Sequence, residues 1–121
     1  MKLARTYANA DGESRWGETE IEFNWVDYAP PTPPMGATDP SKANAYVFLQ
    51  IPEGWDGGMD NTPVRQIAVI LSGKVAIETS DGETKEFGAG GIFLMEDTTG
   101  VGHTARNIGD GDLATIMIHL P

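Results

Sequence analysis

Short apolar runs recur along this chain at close intervals, and glycine or Asp-Gly turns separate them. No window sustains a helical period. "VRQIAVILSG", "GGIFLMED", "GHTARNI" and "DLATIMIHL" each read as a strand. "KVAIETSDGETKEF" reads as a hairpin, with Asp81-Gly82 at its tight turn. "AYVFLQIPEG" is a further strand, stopped by Pro52 and Gly54. "TEIEFNWVDY" alternates, with Ile21, Phe23 and Trp25 on one face and Glu20, Glu22 and Asn24 on the other, the pattern of a half-buried strand. About eight short strands at such spacing make an all-β fold: a sandwich, a barrel or a jelly roll.

At 121 residues the chain is one domain. The stretch "APPTPPMGATDPSKAN" contains five prolines, so it neither forms a helix nor pairs as a central strand. A connection of this kind is either a lid over a pocket or a plain surface crossover. The expected layout is an N-terminal strand and proline-rich loop, residues 1–43, packed on a core of residues 44–121. In the run from Gln66 to Leu71 the even set is Gln66, Ala68 and Ile70, and the odd set is Ile67, Val69 and Leu71. If one set lines the interior, the other is apolar and needs cover. Either the N-terminal segment supplies it or a second subunit does, and a homodimer is expected.

The balance of 8 Lys+Arg against 18 Asp+Glu gives a formal charge of −10. Such a surface repels phosphate backbones and anionic headgroups, so neither nucleic acid nor membrane is expected as a partner. No run is long and apolar enough for a signal peptide or a membrane span, and a cytoplasmic location is the default. Cysteine is absent, which excludes disulfides and thiolate metal sites.

"GIFLMEDTTGVGHTARN" places Gly91, Gly100, His103 and Asn107 in order. This resembles the second motif of the cupin superfamily, the RmlC-like jelly rolls: glycine, five residues, Pro-x-Gly, two residues, His, three residues, Asn. The spacer here is one residue longer, and Thr98 stands at the proline position. The first cupin motif reads glycine, five residues, His-x-His, three or four residues, Glu, six residues, Gly. "GWDGGMDNTPVRQIAVILSG" is similar to it in length from Gly54 to Gly73. Its two histidine positions fall on Asp60 and Thr62, and its glutamate position on Gln66. The resemblance covers roughly residues 44 to 120 and implies a double-stranded β-helix, the cupin barrel.

Most metal-binding cupins, as the family pattern implies, hold one first-row metal with three histidines and a glutamate. Of that set only His103 is present. Asp60 is an oxygen donor, but Gln66 is neutral and Thr62 poorer still, so no cofactor is expected. The alternative is a weakly held divalent transition metal on His103, Asp60 and Gln66.

His103 shares a face with Ala105 and Asn107 by period two. It is either a structural strand histidine or a cavity-facing group, and an imidazole suits acid–base work near neutral pH. Asp60 either orients that ring or is a turn residue. Gln66, Trp55 and Asn107 are candidate ligand contacts. Arg65 and Arg106 point to the opposite face and read as surface ion pairs. His119 reaches either the cavity or a subunit contact. Two functions follow. One is a cupin that binds a small molecule through polar groups in an apolar barrel. The other is an enzyme, by resemblance to metal-free sugar epimerases, with His103 as base, Asp60 as its partner and Tyr46 as acid. A metal-dependent oxygenase is a third, weaker variant.

Overall fold

A computed structural model describes residues 1–121. Its elements are all strands: β1 (Lys2–Ala8), β2 (Ser14–Glu20), β3 (Asn24–Val26), β4 (Met35–Ala37), β5 (Ala45–Ile51), β6 (Asp56–Asp60), β7 (Gln66–Ser72), β8 (Val75–Thr79), β9 (Thr84–Phe87), β10 (Ile92–Met95), β11 (His103–Asn107) and β12 (Leu113–His119). No helix is long and apolar enough to cross a membrane. Six strands form one sheet in the order β2-β1-β10-β7-β12-β5, and four form a second in the order β6-β11-β8-β9. The β1–β10 pair is parallel; the other pairs are antiparallel. β3 and β4 pair only with each other.

Alternation decides which residues meet between the sheets. On β7, Gln66, Ala68 and Ile70 are buried, whereas Ile67 and Val69 are half-buried and Leu71 is exposed. Ala68, Ile70, Phe93, Met95 and Leu113 from the first sheet pack with Val75 and Ile77 from the second. Their removal from water is the main stabilising term of such a sandwich. The Asp81-Gly82 hairpin forms as expected, with Gly82 at a φ of 86° and Glu78 opposite Thr84.

The two seams of the sandwich differ. Between β2 and β9, Trp16 lies 5.8 Å from Phe87 and 6.2 Å from Phe93, and the two phenylalanines stack at 4.3 Å. Ser14 and Ser80 add a reciprocal pair of backbone-to-hydroxyl bonds, each 2.8 Å. Between β5 and β6 there is no ladder. That seam is tied at its base, where Asn107 Nδ2 donates to the carbonyls of Ile51 (3.2 Å) and Pro52 (3.0 Å) and Asn107 N donates to Trp55 O (2.9 Å). The molecule is therefore a jelly roll, the all-β fold expected, built as a sandwich whose side between β5 and β6 is open.

Three expectations need correction. There are twelve strands rather than about eight, because β1, β2, the β3–β4 ribbon and β6 lack clean alternation. The run "TEIEFNWVDY" is not one half-buried strand: β2 ends at Glu20, and Asn24–Val26 is exposed throughout. The N-terminal segment does not cover the outer face of β7. β1 and β2 extend the sheet in its own plane, beside β10.

Candidate functional site

The turn before β11 determines where His103 points. Gly100 and Gly102 both have left-handed φ values, 78° and 79°. A Cβ on Gly102 would lie 2.1 Å from the backbone carbon of Asp60, and one on Gly100 would lie 2.2 Å from Gly12 O. Only glycine allows these close approaches. The turn thus packs against the end of β6 and the β1–β2 turn, and β11 starts with His103 facing inward and buried.

Behind the ring sits Asp97, fully buried. Its Oδ2 lies 2.5 Å from His103 Nδ1. Its Oδ1 accepts from the hydroxyls of Thr6 (2.7 Å) and Thr62 (2.8 Å). Burial pushes the Asp97 carboxyl up, but the hydrogen bond and charge of His103 and the two hydroxyls outweigh it and hold it below its ordinary value. An ionised carboxylate only accepts, so Nδ1 carries the proton and donates. This leaves Nε2, which has no hydrogen-bond partner in the protein, available as an acceptor.

Glu96, the preceding residue, faces outward. Arg5 Nε and Arg65 Nε each donate to it at 2.6 Å. Burial raises its pKa, the bonds from Arg65 and Arg5 lower it more, and the net direction is down. The end of β10 is thereby clamped on both faces.

His103 lines a cavity of about 170 Å³ between the sheets. Leu49, Ile51, Trp55, Phe93, Met95 and Met117 are among its walls, and His103 and Thr115 are its only polar-side-chain members. Thr115 is 1% exposed, and its Oγ1 is a buried atom with no hydrogen-bond partner. An unpaired buried hydroxyl is uncommon in a native protein and calls for an explanation. Toward solvent the cavity meets a mouth formed by residues including Trp55, Gly57, Asp60, Thr62 and His103.

The residues named from the sequence are distributed unevenly around this centre. His103 and Trp55 both line the cavity and its mouth. Asp60 is exposed at the mouth, and its Oδ1 accepts from Asn61 N at 2.9 Å. The partner of the imidazole is Asp97, so the assignment of Asp60 to that position is corrected. Gln66 is buried, but its Nε2 lies 3.8 Å from Met95 Sδ and it does not line the cavity. Asn107 is no ligand contact. Nδ2 donates to three backbone carbonyls, of Ile51, Pro52 and Gly111, and Oδ1 accepts from Gly109 N. Tyr46 is 68% exposed on the outer face of β5 and cannot serve as an acid in the cavity. His119, with Thr115 and Met117 on the inward set of β12, is half-buried and outside the cavity walls. Arg65 forms the expected surface ion pair, with Glu96.

Sequence reasoning misses Asp97 and Thr115. Period two carries the inward set Phe93, Met95 on to Asp97, and the set Leu113, Met117 through Thr115. That continuation is the available signal.

The fold family's usual metal does not fit these donors. No group of three or more His, Asp or Glu side chains comes together. The Asp97 carboxylate is already occupied by Nδ1 and two hydroxyls. One imidazole nitrogen, with the exposed carboxylate of Asp60 as its only charged neighbour at the mouth, is too poor a set for a first-row cation.

No protein-family model matches the sequence, and comparison with curated proteins gives no match. Solved structures do match. The cupin domain of Cnp3 from Schizosaccharomyces pombe superposes with a TM-score of 0.54 at 13% identity, over 98% of this chain and 86% of that one. A cupin domain from Bordetella pertussis Tohama I gives a TM-score of 0.50 at 20% identity, over 63% of this chain and 79% of that one. At these identities the likeness establishes the fold: this is a small protein with the cupin jelly roll.

Proposed function

We propose that the protein binds a small, mainly apolar molecule carrying one oxygen, held between His103 Nε2 and Thr115 Oγ1. The unpaired Thr115 hydroxyl in an otherwise apolar cavity carries this reading. A buried polar group without a partner is costly, and a ligand oxygen would supply the missing bond. Size limits the ligand. Cavities of about 150 Å³ with aliphatic and aromatic walls accept molecules of benzene size, and this one holds about 170 Å³. A sugar is too polar for such walls, and the tyrosine acid of a sugar epimerase is missing from them.

The buried Asp97–His103 pair supports a second reading, proton transfer to and from the bound molecule. Asp97 fixes the tautomer and stabilises the imidazolium formed when Nε2 accepts a proton. The substrate class would be a small carbonyl compound with an acidic α-hydrogen. In a β,γ-unsaturated member of that class His103 would remove the α-proton and return it at the γ-carbon as the double bond moves into conjugation with the carbonyl, an isomerisation needing no cofactor.

Phenol and benzene are suitable probes. Titration calorimetry should give measurable phenol binding, weakened roughly tenfold by Thr115→Val, the loss of one hydrogen bond. Benzene binding should not weaken in that variant. Equal phenol affinity in both proteins, or no binding of either probe, would refute the reading. Exchange of α-hydrogens of cyclohexanone in deuterated water, abolished by His103→Ala, tests the second.

A further inference from the structure

Residues 22–44 are exposed almost without interruption, although they include Phe23, Trp25, Tyr28 and Met35. Within this segment β3 and β4 form a ribbon of three paired positions, Asn24–Ala37, Trp25–Gly36 and Val26–Met35. Phe23 and Trp25 share one face, with Gly36 paired opposite Trp25 and packed beside the base of the Phe23 side chain. Between residues 22 and 43 the hydrogen bonds are internal to the segment. A two-stranded ribbon of this size is at best marginally stable in water alone. This one needs a surface to pack on.

A surface without cover is present on the same chain. On the outer face of the large sheet, Tyr46, Ile118 and Ile67 form one row, and Phe48, Ile116 and Val69 the next. The chain is 21% charged. Yet the four adjoining strands β10, β7, β12 and β5 contain no Lys, Arg, Asp or Glu. Depletion of charge marks the core of an interface. It matters doubly in a chain of net charge −10, whose copies otherwise repel. An open groove of about 630 Å³ crosses this face where the ribbon segment ends, lined by Ala43, Asn44, Ala45, Tyr46, Ile116 and Ile118.

We propose that two copies of the chain associate by arm exchange, each seating the Phe23–Trp25 face of its ribbon in the other's groove. The area agrees with this. Trp25, Tyr28, Tyr46 and Phe48 are 78%, 70%, 68% and 67% exposed. At roughly 150–250 Å² per aromatic side chain, these four alone offer on the order of 400–700 Å² per copy. A stable interface takes about 800 Å² from each partner, and Phe23, Leu71 and Ile92, all exposed, add to the total. Ribbon and groove lie on one chain, so a two-fold axis satisfies both contacts at once and closes the assembly at two copies.

The test is sedimentation equilibrium at micromolar concentration, with far-UV circular dichroism as the fold control. The expected result is a dimer. The double substitution Phe23→Ala, Trp25→Ala and, separately, Ile116→Asp should each raise the dimer dissociation constant by at least ~100-fold. Their spectra should match the parent, since none of these side chains belongs to the core. The chain has no cysteine, so mixing Trp25→Cys with Ile116→Cys protein under oxidising conditions should yield a disulfide-linked pair. A parent protein that stays monomeric overturns the proposal and assigns the face to a different protein. A dimer indifferent to the arm substitutions, or one that gives no mixed cross-link, overturns arm exchange.

Discussion

Replacing Thr115 by valine should make the ligand-free protein more stable. The change exchanges a hydroxyl for a methyl on a residue that is 1% exposed and has an unpaired Oγ1. Both residues are β-branched and suited to the middle of a strand, so backbone and rotamer preferences are kept. Leaving a hydroxyl buried without a partner costs about 1–3 kcal/mol. The new methyl is accommodated without strain, because the adjoining cavity of about 170 Å³ leaves room for it. The net gain should be about 1–2 kcal/mol, a rise in Tm of about 4–8 °C for a domain near this size. Urea unfolding followed by tryptophan fluorescence measures it, at one fixed protein concentration, with an unchanged m-value as the check on two-state behaviour. Phenol affinity should fall in the same variant. Opposite signs for stability and binding are what a residue kept for its ligand would give. Destabilisation by more than ~0.5 kcal/mol would refute the reasoning, because the hydroxyl would then have a partner in the free protein.

Asp97→Asn should cost about 2–3 kcal/mol at neutral pH, the loss of charge-assisted bonds to a buried group. Because folding holds the Asp97 carboxyl below its ordinary 3.8, its stabilising contribution is complete above about pH 4 and is lost as pH falls through the lower folded value. Acid titration of stability should therefore be shallower in the variant than in the parent, and identical curves would show that the carboxylate is not ionised in the fold. Gly102→Ala should destabilise by more than ~3 kcal/mol, from left-handed strain and from a backbone contact that cannot give way. A soluble, cooperatively melting Gly102→Ala protein within ~1 kcal/mol of the parent would contradict the geometry of the turn.

Short apolar runs bounded by turns made the central strands legible: β5, β7, β8, β10, β11 and β12 lie where those runs place them. The strands that escaped detection are those whose inward residues are polar or small. β1 buries Leu3 and Thr6, and β2 buries Ser14. Such sets do not read as one face of a strand. Phe23 and Trp25 misled in the other direction, since their pattern is that of a buried face but nothing in the chain covers them. At the site, glycine spacing located His103 but not its partner. Asp97 follows a strand end in "MEDTTG", where a surface turn is the ordinary reading. Only folding brings Thr6 and Thr62, distant in sequence, onto its carboxylate. Asn107 shows the converse. Its side chain is conspicuous in the motif, yet all of its hydrogen bonding goes to backbone.

The unequal seams of the sandwich make it a clamshell. The side joining β2 to β9 is stitched by aromatic contacts and the Ser14–Ser80 pair, so it acts as a hinge. The side between β5 and β6 has no ladder and is fastened at the Asn107 corner, beyond which Leu49 and Trp55 are each 40% exposed. Widening that gap breaks no ladder hydrogen bond, while the bonds of Asp97 to His103 and Thr62 hold the two sheets together behind the cavity. A molecule entering past Trp55 would therefore leave the pairing within both sheets intact. The rate of exchange should follow the bulk of the residue at position 55 rather than the global stability of the fold.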